Sequence, residues 1–246
     1  LRAVADEVGA KAATYRAREG LEPALIPERV MVCMSSNSQA PRVIRTGEYP
    51  PQAGGVSAFT RLLAAGLARA GEKVHVVAPV AAGPEPHDPG VTVLRVPGLG
   101  PRSLSRVTRE LARLPGSRRI LVQYVPHAFG WRGMNYPFCA WLSRAGAPVD
   151  LLFHEVAFPS VPGQAIGRAL LAAAQRAMAR RALAAAERVF VSTEAWSPML
   201  RRLGARSEPR WLPVPSNLPT AVDPAAPTVV FPLQLVASVL GFLARD

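Results

Sequence analysis

Lysine is almost missing from this sequence. Lys11 and Lys73 are the only two, although Lys and Arg together number 29 against 17 Asp and Glu, for a formal charge of +12. The positive charge is therefore arginine, spread over nearly every helix expected below. Proteins that bind nucleic acid or membrane surfaces concentrate such charge in a patch or stripe. A compositional bias toward Arg, Ala and Pro accounts for the balance here, and no nucleic-acid partner is expected. Cysteine is equally scarce. Cys33 and Cys139 stand without C-x-x-C or His-rich spacing, which argues against a disulfide framework and a zinc site and fits a reducing, cytoplasmic setting. The opening residues carry charges throughout, with no apolar signal-peptide core.

Absent motifs narrow the chemistry further. The sequence has no G-x-S-x-G elbow, no G-x-x-x-x-G-K-[ST] loop and no H-E-x-x-H, so serine hydrolysis, P-loop phosphoryl transfer and zincin chemistry have no support. It also lacks D-x-D. A diphosphate clamped by metal through paired aspartates is therefore not expected, and neither is a metal cofactor.

What remains is an ordinary globular balance, 49% hydrophobic and 19% charged over 246 residues, enough for one substantial α/β domain with appendages. The chain divides into three pieces. Residues 1–40 read as a helix, with Val4, Val8, Ala12 and Tyr15 at helical spacing, followed by a short apolar strand from Arg29 to Met34. Residues 41–217 alternate regularly. Strands are expected at about 42–46, 73–79, 91–97, 119–126, 149–156, 188–193 and 210–215, and helices at about 56–70, 103–114, 134–146, 164–187 and 194–203. Strands rich in Val, Ile and Leu between helices imply a doubly wound parallel sheet, a Rossmann-like α/β fold. Residues 218–246 form an apolar tail, uncharged from Pro224 to Ala244. That run approaches the roughly 20 residues of a membrane span, but its prolines and Gln234 argue against one.

The first strand can only be Pro41 to Thr46, the one stretch at the right distance before the loop Gly47-Glu-Tyr-Pro-Pro-Gln-Ala-Gly-Gly-Val56. Val43 and Ile44 suit a buried central strand. Arg42 and Arg45 flank them, so its burial is expected to be short. Ligands of such sheets bind beyond the strands' carboxyl ends. Gly54 and Gly55 lie there, at the start of a helix with Phe59, Leu62, Leu63 and Leu67 on one face, and their open backbone suits a phosphate. A plain turn explains the pair as readily on spacing alone. Gly98-Leu-Gly100-Pro-Arg-Ser103 mimics a dinucleotide loop only partly. Ser103 replaces the third glycine and no acidic residue follows at the ribose distance, which excludes a nicotinamide-dependent dehydrogenase.

His154 and Glu155 close the strand Val149-Asp-Leu-Leu-Phe-His-Glu-Val156, where an imidazole can accept a proton or hold a hydroxyl or phosphate. A surface pair with no task fits equally well. Tyr124 and His127 end the preceding strand and are expected to line the same cleft. Trp131, Tyr136 and Phe138 are expected to pack as the apolar face of the next helix. Arg168, Arg176, Arg180 and Arg181, along the helix near 164–187, read as a solvated face, or as a peripheral membrane contact at the inner membrane face.

Six segments in this order resemble glycosyltransferase family four: Thr46-Gly-Glu-Tyr-Pro-Pro-Gln-Ala-Gly-Gly-Val-Ser57, Gly71-Glu-Lys-Val-His-Val-Val-Ala-Pro79, Gln123-Tyr-Val-Pro-His with Gly133-Met-Asn135, Phe153-His-Glu155, Val189-Phe-Val-Ser-Thr193 and Leu212-Pro-Val-Pro-Ser-Asn217. The resemblance spans about 42–217. It implies the N-terminal, acceptor-side domain of a GT-B enzyme that transfers a sugar from a nucleotide donor, usually without a metal, to a sugar or lipid-linked acceptor. It further implies that Gly54 and Gly55 approach the donor phosphate and acceptor, and that His154 lies near the reacting centre. The family's donor-binding E-x7-E does not follow Asn217, and Glu187 and Glu194 are one residue too close. The donor-binding domain is thus expected to be missing, and the chain alone to be inactive. Ala5-Asp-Glu-Val, Tyr15-Arg-Ala and the run from Pro27 to Arg45 resemble instead the sensor to universal-stress-like junction of osmosensing potassium histidine kinases. A non-enzymatic binding or regulatory module, or the remnant of such a kinase fusion, therefore stays open beside the transferase.

Overall fold

Seven parallel strands form one sheet in the order β3-β2-β1-β4-β5-β6-β7 in a computed structural model that describes residues 41–114 and 118–214. Their ranges are β1 Arg42–Arg45, β2 Val74–Pro79, β3 Val91–Val96, β4 Arg119–Tyr124, β5 Val149–Phe153, β6 Ala186–Val191 and β7 Arg210–Trp211. The helices are α1 Gly55–Arg69, α2 Pro101–Ala112, α3 Tyr136–Leu142, α4 Ile166–Leu183 and α5 Ser197–Arg202. This is the doubly wound, Rossmann-like fold. The expectations for the opening helix, the strand at Arg29 to Met34, the apolar tail and the kinase resemblance before Pro41 lie outside the described residues.

Successive strand side chains point to opposite faces, and both faces are apolar. Val43, Val77, Val122, Leu151 and Val189 belong to one cluster with Leu104 and Val107 of α2, Phe138 of α3 and Met178 and Ala182 of α4. Ile44, Val76, Leu121, Leu152 and Phe190 belong to the other, with Phe59, Leu63 and Leu67 of α1. Each such side chain contributes about 1.5–3 kcal/mol when fully buried. Leu62, expected on the same apolar face of α1, is instead 38% exposed.

β1 sits at the centre, pairing with β2 through Ile44 and Val76 and with β4 through Ile44 and Leu121. Its burial is not cut short by its arginines as expected, because both find partners inside. Arg42 bonds Glu72 through Nε at 3.0 Å and lies 3.8 Å from Asp150. Arg45 donates to the Val77 carbonyl at 2.7 Å and lies over the Phe138 ring at 5.9 Å. Burial lowers its pKa to about 9. Asp150, fully buried, also takes Arg119 at 2.9 Å and Arg188 at 2.6 Å. Guanidiniums from the amino ends of β1, β4 and β6 thus converge on one carboxylate of β5.

The strands expected to reach 156 and 215 end at Phe153 and Trp211, and the helix expected to reach 146 ends at Leu142. Three further boundaries differ for a plain local reason. The helix expected to reach 187 stops at Leu183, because Ala186 pairs with Val149 and β6 has begun. The helix expected from 134 starts at Tyr136, where Asn135 accepts the Phe138 N–H at 3.1 Å as its cap. Pro101 opens α2 instead of preceding it, since a first-turn residue needs no N–H partner.

Candidate functional site

The order 3-2-1-4 puts the sheet's reversal between β1 and β4, so the loops after β1, β4 and β5 meet beyond the carboxyl ends of neighbouring strands. The loop after β1 is tightly built. Thr46 Oγ1 donates to the Glu48 carbonyl at 2.7 Å and accepts the Glu48 N–H at 3.2 Å. Ser57 Oγ donates to the Gln52 carbonyl at 2.5 Å. At Gly47 a Cβ would come within 2.5 Å of Ala128, so the loops after β1 and β4 touch through a missing side chain. α1 then starts at Gly55 with no side-chain cap and no acidic residue in its first turn. Its first N–H groups and the positive end of its dipole are open to an anion. A Cβ at Gly55 would meet nothing within 4 Å, whereas one at Gly54 would approach Glu48 Oε2 at 2.5 Å.

His154 follows β5 and is held by three elements. Its N–H donates to the Tyr124 carbonyl at 3.1 Å, its carbonyl accepts the Trp196 indole N–H at 3.0 Å, and its ring lies edge-on to Phe59 at 5.4 Å. Its Nε2 lies 2.6 Å from Gln123 Oε1. Burial lowers the imidazole pKa to about 4, so the ring is neutral near pH 7. With the carboxamide oxygen facing Nε2, that nitrogen carries the proton and Nδ1 keeps a lone pair. Gln123 is a buried amide after the apolar run Ile120 to Val122 of β4, and that break in pattern is the signal that could have found it.

Two cavities open on this face. The smaller, about 320 Å³, is lined by Gly55, Val56, Phe59, Leu62, His154 and Glu155 among others. The larger, about 840 Å³, lies over β1 to β4 and is lined by Glu48, Gln52, Leu99, His127, Phe129 and Trp131 among others. Gly55, His154 and Glu155 thus come together. His127 is exposed in the other cavity, and Gly54 stands at the helix cap between the two loops. Tyr124 reaches neither, since its ring is fully buried against Phe129 at 5.2 Å and Phe153 at 4.4 Å. Its carbonyl, which receives His154, is its contribution to the site. Of the aromatics expected to pack, only Phe138 does. Trp131 is 53% and Tyr136 47% exposed, because the chain between β4 and α3 breaks into short 3-10 turns that lift them out of the core.

Glu48 is the second residue the sequence did not single out. Burial and the charge of Glu155 raise its carboxyl pKa. Cys139 is buried, and its thiol is pushed up to about 12 by that burial, which makes it unreactive. Among the described residues no group of three or more His, Cys, Asp or Glu side chains could hold a metal ion, and no helix is long and apolar enough to cross a membrane.

Comparison with curated proteins yields no match. Residues 54–216, which hold α1, β2 to β7 and both lining histidines, match the family described as Glycosyl transferase 4-like domain. The matched stretch is that of a glycosyltransferase-type module, and the chain belongs to the glycosyl transferase 4-like domain family.

Proposed function

We propose that the chain is the acceptor-side half of a nucleotide-sugar-dependent glycosyltransferase of the GT-B type, working in a reducing cytoplasm on a sugar or lipid-linked acceptor. One observation carries the reading: Gly55, at the open start of α1, lines the same cavity as His154 and Glu155. The uncapped start of a helix and a neutral imidazole thereby line one small volume. The helix end suits the donor diphosphate without a metal, in keeping with the absence of D-x-D. Nδ1 of His154 suits a sugar hydroxyl, and Glu155 at the rim suits the acceptor.

The nucleotide is held by a second Rossmann-like unit facing this one, and these 246 residues alone do not turn over. Sugar transfer depends on positioning donor and acceptor together, and one wall of the cleft supplies only part of that orientation. The test is a radiolabelled transfer assay with a panel of nucleotide sugars, on the chain alone and fused after Asn217 to a donor-binding domain of the same family. Transfer at buffer level alone, restored in the fusion and lost in its His154→Ala variant, is expected. Transfer by the unfused chain, or a fusion that folds and stays inactive, overturns the reading.

A further inference from the structure

The larger cavity is not absorbed by the chemistry around His154, and its charge is unlike that of the chain. Although the sequence holds 29 Lys and Arg residues, none of those among the described residues lines these 840 Å³; among the described residues the only titratable liners are Glu48 and His127. Arg102, two residues after the liner Gly100, and Arg132, next to Trp131, do not line the cavity. An anionic guest would meet a carboxylate with no guanidinium or ammonium among the described lining residues to offset it. The raised pKa of Glu48, caused by burial and by Glu155, fits the same shortage of positive charge.

The rim adds a second observation. Trp131 and Arg132 both adopt left-handed backbone, φ 54° and 55°, and are the only non-glycine residues among those described to do so. Such a conformation costs about 1–3 kcal/mol per residue and persists only where surroundings enforce it. Here Gly133 N–H bonds the Gly130 carbonyl at 3.0 Å and Met134 N–H bonds the Trp131 carbonyl at 3.1 Å. The Asn135 carboxamide, donating to the Leu99 and Phe129 carbonyls at 3.2 and 2.9 Å, fixes the turn to the cavity wall. The strained turn holds a large apolar ring at the cavity mouth, half in water. A flat aromatic face beside a few hydrogen-bonding groups suits the C–H face of a pyranose, whose hydroxyls point to the ring's edge.

We propose that this cleft seats a saccharide free of anionic groups, stacked on the Trp131 indole and hydrogen-bonded by Glu48, Gln52 and His127. That the saccharide is an acceptor rests on the transferase reading; that it is uncharged does not.

The test is saturation-transfer NMR on the whole chain at neutral pH with glucose, mannose and N-acetylglucosamine, and with the 6-phosphates of glucose and mannose. Neutral sugars should respond, and the 6-phosphates about five- to tenfold less. Trp131→Ala should lose the response by about fivefold or more with an unchanged urea midpoint, since stacking is worth about a kcal/mol and the ring is outside the core. Glu48→Gln should narrow the gap between neutral and phosphorylated sugars. An equal or stronger response from the 6-phosphates, silence from every sugar, or a full response in Trp131→Ala overturns the proposal. Transfer by the fused enzyme only onto phosphorylated acceptors would overturn the acceptor class and leave the transferase reading intact. Neutral-sugar binding that depends on Trp131, with a fusion that never transfers, would do the reverse.

Discussion

The imidazole of His154 lies 2.6 Å from the carboxamide of Gln123, on the neighbouring strand. The contact sets the tautomer of the ring, and burial keeps the ring neutral. Gln123→Leu should therefore leave the fold in place and free His154 to rotate. In the fused enzyme we expect a fall of about tenfold or more in kcat with little change in KM for the donor, and partial rescue by Gln123→Asn. Equal loss in Gln123→Asn and Gln123→Leu would assign Gln123 to packing alone.

His154 also predicts how stability depends on pH. Its folded pKa is lowered to about 4 from 6.5, so between these values the unfolded chain binds a proton that the folded chain does not. Stability should fall as pH drops from 6.5 toward 4, by at most about 3 kcal/mol, and His154→Gln should flatten that slope. Urea midpoints of the two proteins across this window measure it. An identical slope in both would place the dependence elsewhere.

Gly47 and Gly55 should behave oppositely. Gly47→Ala drives a Cβ to within 2.5 Å of Ala128, and we expect a loss of about 1–3 kcal/mol in urea denaturation as the two loops separate. Gly55→Ala meets nothing. It should leave stability unchanged or raise it by up to about 1 kcal/mol, while blocking phosphate approach, so that calorimetric binding of a nucleotide diphosphate to the fused enzyme weakens about tenfold or more. Unimpaired binding would remove the helix start from the donor site.

How much of this was legible beforehand differs by element. Strand and helix alternation gave all seven strands, and the distance to the glycine loop was enough to put Arg42–Arg45 at the sheet centre. The end of α4 was not legible, because Ala184, Ala185 and Ala186 favour helix and only pairing with β5 makes Ala186 a strand residue. Exposure of Trp131 was hidden for a related reason: an aromatic near a helix usually packs, and the turns that displace it depend on backbone contacts distant in sequence. That Gly55, His154 and Glu155 line one cavity was legible from their positions beyond the ends of β1 and β5. Glu48 needed three-dimensional proximity to Glu155, and Asp150 its three arginines.

Asp150→Asn should be among the most damaging substitutions in this domain. Three guanidiniums approach that buried carboxylate, from Arg42, Arg119 and Arg188. Removing its charge takes away the carboxylate they share, with Glu72 still on Arg42 and Glu187 still on Arg119, at a cost of up to about 3–5 kcal/mol. Urea unfolding checks it, and a shift below about 1 kcal/mol would mean that water replaces the carboxylate.

Peripheral membrane binding through α4 should fail. In the C-terminal half of α4, which carries Arg176, Arg180 and Arg181, Met178, Ala179, Ala182 and Leu183 are buried in the core, and Arg181 donates to the Ala140 carbonyl at 3.3 Å; the apolar face is committed there, while Ile166 and Leu170 near the start of the helix are exposed. The chain should stay in the supernatant with anionic vesicles at low salt. Pelleting that salt reverses, and that Arg176→Glu with Arg180→Glu abolishes, would contradict this.

The convergence on Asp150 has a further meaning for how such a domain can change. It ties β1, β4, β5 and β6 together at their amino ends, whereas the two cavities, Trp131 and the glycine loop all lie at the carboxyl ends. Strand register is thus pinned at one edge while recognition is written at the other. The exposed tip of the loop after β4, from Gly130 to Arg132, can be varied in shape and charge without retuning the ionic knot, while Ala128 against Gly47, buried Phe129 and the cap Asn135 stay fixed. Laboratory diversification confined to that tip should yield folded variants with altered sugar preference far more often than the same number of changes near the knot.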